Sequence, residues 1–227
     1  MIFLLGGYDL EMLTIKLLLK SNNIKYIDKS LKWGAKLSDY KDELSMAGTI
    51  YGIELEEDMD RPQNYVGIDH HNNYSHKPSS IEQVAKLLEI ELTRHQKLVA
   101  LNDRSYIKGM ESIDASEDEI EYIRKLDREA QGISQDDENL AIESISESKN
   151  SHIIYAKTSK FSAISDRIYN KFQKYIIYND TKIVFYGYKI ENIISFLNIQ
   201  NITKINYYYG GGDFGFIGIK DNILDKL

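Results

Sequence analysis

The apolar positions of this chain change their spacing several times. Residues 1–5 form a short apolar run that stops at Gly6-Gly7. Leu10, Leu13 and Leu17 then recur at helical spacing, and Met12, Ile15 and Leu19 broaden the stripe. A strand, a glycine turn and a helix make the opening unit of an α/β fold. Residues 24–27 read as a second strand, 37–46 as a helix, and 49–55 as a strand with Glu54 near its end. Residues 64–68 read as a strand that runs straight into Asp69-His70-His71. Pro78-Ser79-Ser80 opens a helix whose serines can cap it, and Glu82 in its first turn suits the helix dipole. Its apolar face is Ile81, Val84, Ala85, Leu87 and Leu88. Residues 92–101 continue helical as far as Asn102-Asp103.

The second half begins with a charged helix over 117–130, with Ile120, Ile123 and Leu126 as its stripe. A helix over 135–146 follows, capped by Ser134. Residues 144–151 are rich in Ser, Lys and Glu and read as the best linker in the chain. Strands are expected at 153–156, 175–178, 182–186, 205–209 and 216–219, with helices at 162–172 and 190–197. The expectation is two α/β domains. One covers 1–147 around a mostly parallel sheet, and a smaller mixed α/β domain covers 148–227.

Composition narrows the chemistry. The 227 residues hold 35 acidic and 28 basic side chains, a net charge of −7. With 42% apolar and 28% charged residues the chain reads as globular and not disordered. A pI near 5.3 argues against coating long duplex DNA, which needs a broad basic surface. There is no cysteine, so thiol catalysis, disulfides and thiolate-bound zinc or iron–sulfur centres are excluded. A metal would be held by carboxylates, histidines and backbone oxygens, which suits Mn²⁺ or Mg²⁺. The opening apolar run is too short for a membrane span or a signal sequence, so a cytoplasmic protein without membrane association is expected.

Three segments carry chemistry. Asp69-His70-His71 stands at the C-terminal end of an apolar strand, the edge where open α/β sheets bind ligands. Asp103 ends a helix, where the dipole disfavours an acid unless a cation offsets it. Gly210-Gly211-Gly212-Asp213 can bring backbone N–H groups close to an anion, or can simply turn a hairpin. The neighbouring tyrosines 207–209 are able to stack on a base. Arg104, Arg128 and Lys36 are the basic residues near these motifs. Arg128, in a mixed-charge helix end, reads first as half of a surface ion pair.

Asp69-His70-His71 and its strand resemble the signature of the DHH phosphoesterase family. Asp9-x-Glu11, Glu54, Asp103 and the triple glycine follow the family's motif order along nearly the whole chain. The resemblance implies two-metal hydrolysis of a phosphoester or phosphoanhydride, in which divalent ions activate water and neutralise phosphoryl oxygens. It places Asp9 on the first metal and Glu11, His70 and Asp103 on the second, with Glu54 as the bridging carboxylate. His71 would face the phosphoryl group, and Asp69 would orient an imidazole. Arg104, Gly210, Gly211, Gly212 and Asp213 would contact substrate, in a cleft between the domains. The implied cofactor is Mn²⁺ or Mg²⁺, as one or two ions. The implied substrate is a small nucleotide or short oligonucleotide.

The chain departs from the family pattern at several positions. Leu5 stands where the family has a histidine, Glu11 where it has an aspartate, and Asp213 where it has the histidine after the glycines. No Asp directly follows the 49–55 strand, so Glu54 is the nominee there, and Glu56, Glu57, Asp58 and Asp60 read as an exposed acidic loop. Two alternatives to a nucleotide phosphoesterase stay open. One is a nucleotide-binding or regulatory protein without a complete metal site. The other is a small-molecule phosphatase or pyrophosphatase.

Overall fold

The computed structural model describes residues 1–32, 34–74, 76–199, 207–210 and 215–220. It divides into two compact units, Met1–Gln131 and Gly132–Leu227.

The first unit opens with β1 (Ile2–Leu5), α1 (Leu10–Ser21) and β2 (Tyr26–Ile27). It continues with β3 (Ile50–Ile53), β4 (Tyr65–Ile68) and α2 (Ser80–Leu87), and closes with α3 (Arg94–Glu111) and α4 (Glu117–Ala130). Its sheet has the order β2-β1-β3-β4 and is parallel throughout. The strands alternate between two apolar faces. Phe3, Leu5, Ile53 and Ile68 pack with Ile15 and Leu19 of α1 and Val84 of α2. Leu4, Ile50 and Tyr65 pack on the other side with Leu37, Tyr40 and Leu55. That second layer is not the single helix expected over 37–46. It is two short 3-10 turns, Leu37–Tyr40 and Glu43–Ser45. Tyr40 is fully buried in it and donates its hydroxyl to the Leu5 carbonyl at 2.5 Å.

Local chemistry accounts for the helix starts. Ser79 and Glu82 form a reciprocal capping box at α2, and Ser116 and Glu119 form one at α4. The helix expected to stop at residue 101 runs on to Glu111, but it breaks at Tyr106, whose φ of 58° and ψ of −147° are not helical. Asp103 therefore sits in the last turn before a break and not at the end of the element.

The second unit holds α5 (Gln135–Glu147), β5 (Ile153–Tyr155), α6 (Ser162–Ile168), β6 (Tyr175–Tyr178) and β7 (Ile183–Tyr186). It ends with α7 (Ile190–Ile199), β8 (Tyr207–Gly210) and β9 (Phe216–Ile219). The order β5-β6-β7-β9-β8 combines one parallel pairing with antiparallel ones, which makes the sheet mixed. Ile154, Ile177 and Val184 share a core with Ala141 of α5 and Ile164 of α6. Because α5 packs into this core, the division falls after Gln131 and not at the polar segment near 148. That segment merely ends α5. Among the described residues no helix is long and apolar enough to cross a membrane.

Candidate metal centre

The C-terminal edge of the parallel sheet gathers the acidic residues. Asp9, in the loop after β1, caps α1, and its Oδ1 accepts the Met12 N–H at 2.8 Å. Glu11 lies in the first turn of α1 and is 1% exposed. Its Oε1 accepts the Ile81 N–H at the start of α2, 3.0 Å away. Glu54 comes directly after β3, in the left-handed region at φ 52°, which a non-glycine residue adopts at a cost. Its N–H donates to the Ile68 carbonyl at 2.8 Å, so the β3–β4 pairing continues to the rim. The approach of β1 to this point requires Gly6, since a Cβ there would run into the carbonyls of Ile53 and Glu54.

His70 follows β4 and is 6% exposed. Its Nε2 lies 2.7 Å from Asp103 Oδ2, 3.5 Å from Glu11 Oε2 and 3.5 Å from Glu54 Oε1. All four atoms are buried, and none has a partner in hydrogen-bond geometry among the described residues. At 2.7 Å a ring N–H aimed at an oxygen would bond it. Here the geometry for that bond is not met, and the oxygens of Glu11, Glu54 and Asp103 crowd around the nitrogen as ligands do around an ion. One imidazole nitrogen with three carboxylate oxygens is a donor set suited to Mn²⁺.

His71 stands beside this group. One ligand atom each from Glu54, His70, His71 and Asp103 lie within 4.8 Å of one another. Asp69 Oδ1 lies 3.0 Å from His71 Nδ1 and accepts the His71 N–H at 2.8 Å, which fixes the ring. The side chain is 43% exposed, so Nε2 is left to face a ligand.

Electrostatics follow from the crowding. Burial, then the charges of Glu54 and Asp103, push the Asp9 carboxyl well above its usual range. Burial and Asp103 do the same to Glu11. Burial opposes ionisation of Glu54 as well, but the His70 ring, the His71 charge and the Ser80 hydroxyl hold it below its usual range. Burial works against a charged His70, yet Asp103, Glu11 and Glu54 together raise it to about 12. Without an ion, the imidazolium is the counter-charge for the carboxylates.

Of the residues singled out in the sequence, Glu54, His70, His71 and Asp103 come together, and Glu11 Oε2 lies 3.5 Å from His70 Nε2. The Asp9 carboxyl feels the charges of Glu54 and Asp103, but one of its oxygens is engaged in the cap. Leu5 is 1% exposed and packs in the apolar core. Asp58 turns away to bond Ser38, and Glu57 pairs with Arg61, so the acidic loop is surface. Arg104 is exposed on α3. Gly210 ends β8, while Gly211, Gly212 and Asp213, like Trp33, lie outside the described residues.

The buried polar residues behind the centre escaped the sequence reading. Asn102, Arg124, Asp127 and Arg128 are buried, which corrects the surface reading of Arg128. Arg124 Nη1 donates to Asn102 Oδ1 at 2.8 Å and to Asp127 Oδ2 at 2.6 Å. In the sequence these charges sit on a helix that is mostly solvent-facing, and nothing in their spacing separates a buried pair from an exposed one. The Ile81 amide is equally invisible, because a backbone donor carries no residue signature.

No family model matches this chain, and no curated protein matches it. Among solved structures it is similar to exonuclease RecJ bound to manganese, at 8% identity and a TM-score of 0.46, covering 99% of this chain and 86% of that one. It is also similar to RecJ in complex with Mn²⁺ from Thermus thermophilus, at 8% identity and a TM-score of 0.47. That match covers 98% of this chain and 50% of the other, so this chain spans half of that protein's length. Manganese and exonuclease are said of those proteins; the centre in this chain stands on its own buried side-chain atoms.

Proposed function

We propose that this protein is a metal-dependent phosphoesterase acting on a small nucleotide or short oligonucleotide. The observation that carries the reading is the convergence of Glu11 Oε2, Glu54 Oε1, His70 Nε2 and Asp103 Oδ2, all buried and all without hydrogen-bond partners among the described residues. Buried polar atoms are ordinarily satisfied, so four orphans around one point ask for a cation. A divalent ion bound there would supply Lewis acidity and lower the pKa of a coordinated water. The chain's own residues do the rest. His71, fixed through Nδ1 by Asp69, presents its other nitrogen to a phosphoryl oxygen. The Glu11 carboxylate is held by the Ile81 N–H, and the Glu54 backbone by the Ile68 carbonyl, so both residues are placed before substrate arrives.

One divalent ion is the stoichiometry these atoms favour. Asp9 contributes no orphaned oxygen, and Leu5 offers no imidazole beside it. The same buried Leu5 favours a second reading, a nucleotide-binding or regulatory protein without a complete metal site.

The test is calorimetric titration of Mn²⁺ into metal-free protein, for the wild type and Asp103→Asn, followed by assay of the loaded protein on short oligonucleotides and dinucleotides. One ion bound, weakened in the variant, with hydrolysis, is the expected result. Binding of both ion and nucleotide without hydrolysis would select the second reading. A folded protein that takes up no Mn²⁺ would overturn the phosphoesterase reading and select the nucleotide-binding one.

A further inference from the structure

Arg124 is 5% exposed, and a cation placed that deep needs several partners. Its Nη1 reaches Asn102 Oδ1, on the residue immediately before Asp103. The same nitrogen reaches Asp127 Oδ2, which also accepts from Gln131 Nε2 at 3.0 Å. The guanidinium carbon lies 4.6 Å from the centre of the Tyr106 ring, within cation–π range. Tyr106 is the residue at which α3 leaves helical geometry. One side chain from α4 therefore grips α3 on both sides of the turn that carries Asp103. That turn needs an external support, since the helix ladder that would otherwise fix it is interrupted three residues later. Gly109 completes the arrangement, since a Cβ there would strike the Leu101 carbonyl across the break.

We propose that Arg124 is a positioning residue for the metal centre, holding the broken turn of α3 so that the Asp103 carboxylate faces His70. The proposal rests on the metal-centre reading above, and its consequence is specific. Arg124 acts on the centre through the turn that carries Asp103. A lysine at 124 keeps the charge but loses the planar guanidinium that lies over the Tyr106 ring while its Nη1 bonds Asn102 and Asp127.

The experiment is a cycle of wild type, Arg124→Lys, Asp103→Asn and the double variant. Mn²⁺ affinity is measured by calorimetry and folding by thermal melts. Outer-sphere supports of metal ligands typically carry about 10–100-fold in affinity. Arg124→Lys is expected to lose about tenfold in the wild-type background and almost nothing once Asp103 is Asn, because the two changes break one linkage. Equal losses in both backgrounds, or no loss in either, overturn the proposal. Should Arg124→Lys fail to fold, Asn102→Ala removes the acceptor next to Asp103 and spares the Arg124–Asp127 pair, with the same non-additivity expected.

A metal-free readout separates this proposal from the one it rests on. Ring nitrogen NMR of the ion-free protein reports the His70 environment directly. The His70 signal of Arg124→Lys is expected to move toward that of Asp103→Asn, and an unmoved signal overturns the positioning role. Failure of wild-type protein to bind Mn²⁺ would instead overturn the metal-centre reading, and the His70 signal would still decide the role of Arg124.

Discussion

The Ile81 amide donates to Glu11 Oε1 at 3.0 Å, so one carboxylate ties the start of α2 to the first turn of α1 and still turns its other oxygen toward His70. An aspartate in this place would be a methylene shorter and would have to choose between the two. The glutamate at position 11 thus has a structural reason.

Glu11→Asp is expected to leave the Ile81 N–H buried and unpaired, at about 1–3 kcal/mol of stability. Mn²⁺ affinity should fall as well. Denaturant unfolding, with calorimetric titration alongside, checks both, and a variant with unchanged stability would contradict the bond's importance.

Gly6→Ala drives a Cβ into the carbonyls of Ile53 and Glu54. The strands must separate at the rim, at a cost of about 1–3 kcal/mol, the usual range for overpacking. Because Glu54 sits on the displaced segment, ion binding should weaken together with the melting temperature. An equivalent substitution at exposed Gly132, which has open space around it, should cost stability only through its positive φ and leave ion binding untouched.

Ion binding should be proton-linked. His70, raised to about 12 by Asp103, Glu11 and Glu54 against the effect of burial, holds a proton that a metal must displace. Glu11, raised by burial and Asp103, adds to the competition. Apparent Mn²⁺ affinity should climb with pH around neutrality, by about tenfold per pH unit for each proton released. Titration in buffers of different ionisation enthalpy counts the protons, and a pH-independent affinity would show that His70 is not a ligand.

Tyr40 gives an alkaline signature. Burial raises its phenol from 10.0 to about 12, so its neutral form stabilises the fold fully below pH 10 and that contribution is lost as pH rises toward 12. Tyr40→Phe should cost about 0.5–1.5 kcal/mol near neutrality through the lost bond to the Leu5 carbonyl. The stability gap between variant and wild type should then shrink above pH 10. A constant gap across that range would refute the assignment.

Much of this was legible from side-chain spacing. The apolar run ending at Asp69-His70-His71 is β4 running into the centre, and Ser79 with Glu82 marked the start of α2 by their own capping chemistry. The 37–46 segment misled because its apolar residues fit a helix, whereas Leu37 and Tyr40 reach the sheet from separate 3-10 turns. The break at Tyr106 has no local sign, and the Arg124 guanidinium that packs on it comes from another helix. The unit boundary hid for a related reason. The polar tail of α5 looks like a linker, while Ala141 buries the helix in the second core.

The parallel order β2-β1-β3-β4 has a kinetic corollary. Glu11, Glu54, His70 and Asp103 arrive on different crossovers, so no contiguous stretch of chain holds the set. Their meeting requires long loops to close before any ligand can help, so the centre is expected to form late in folding. Nascent or partly unfolded chains would bind ions poorly, and capture of Mn²⁺ would then time the completion of the native state.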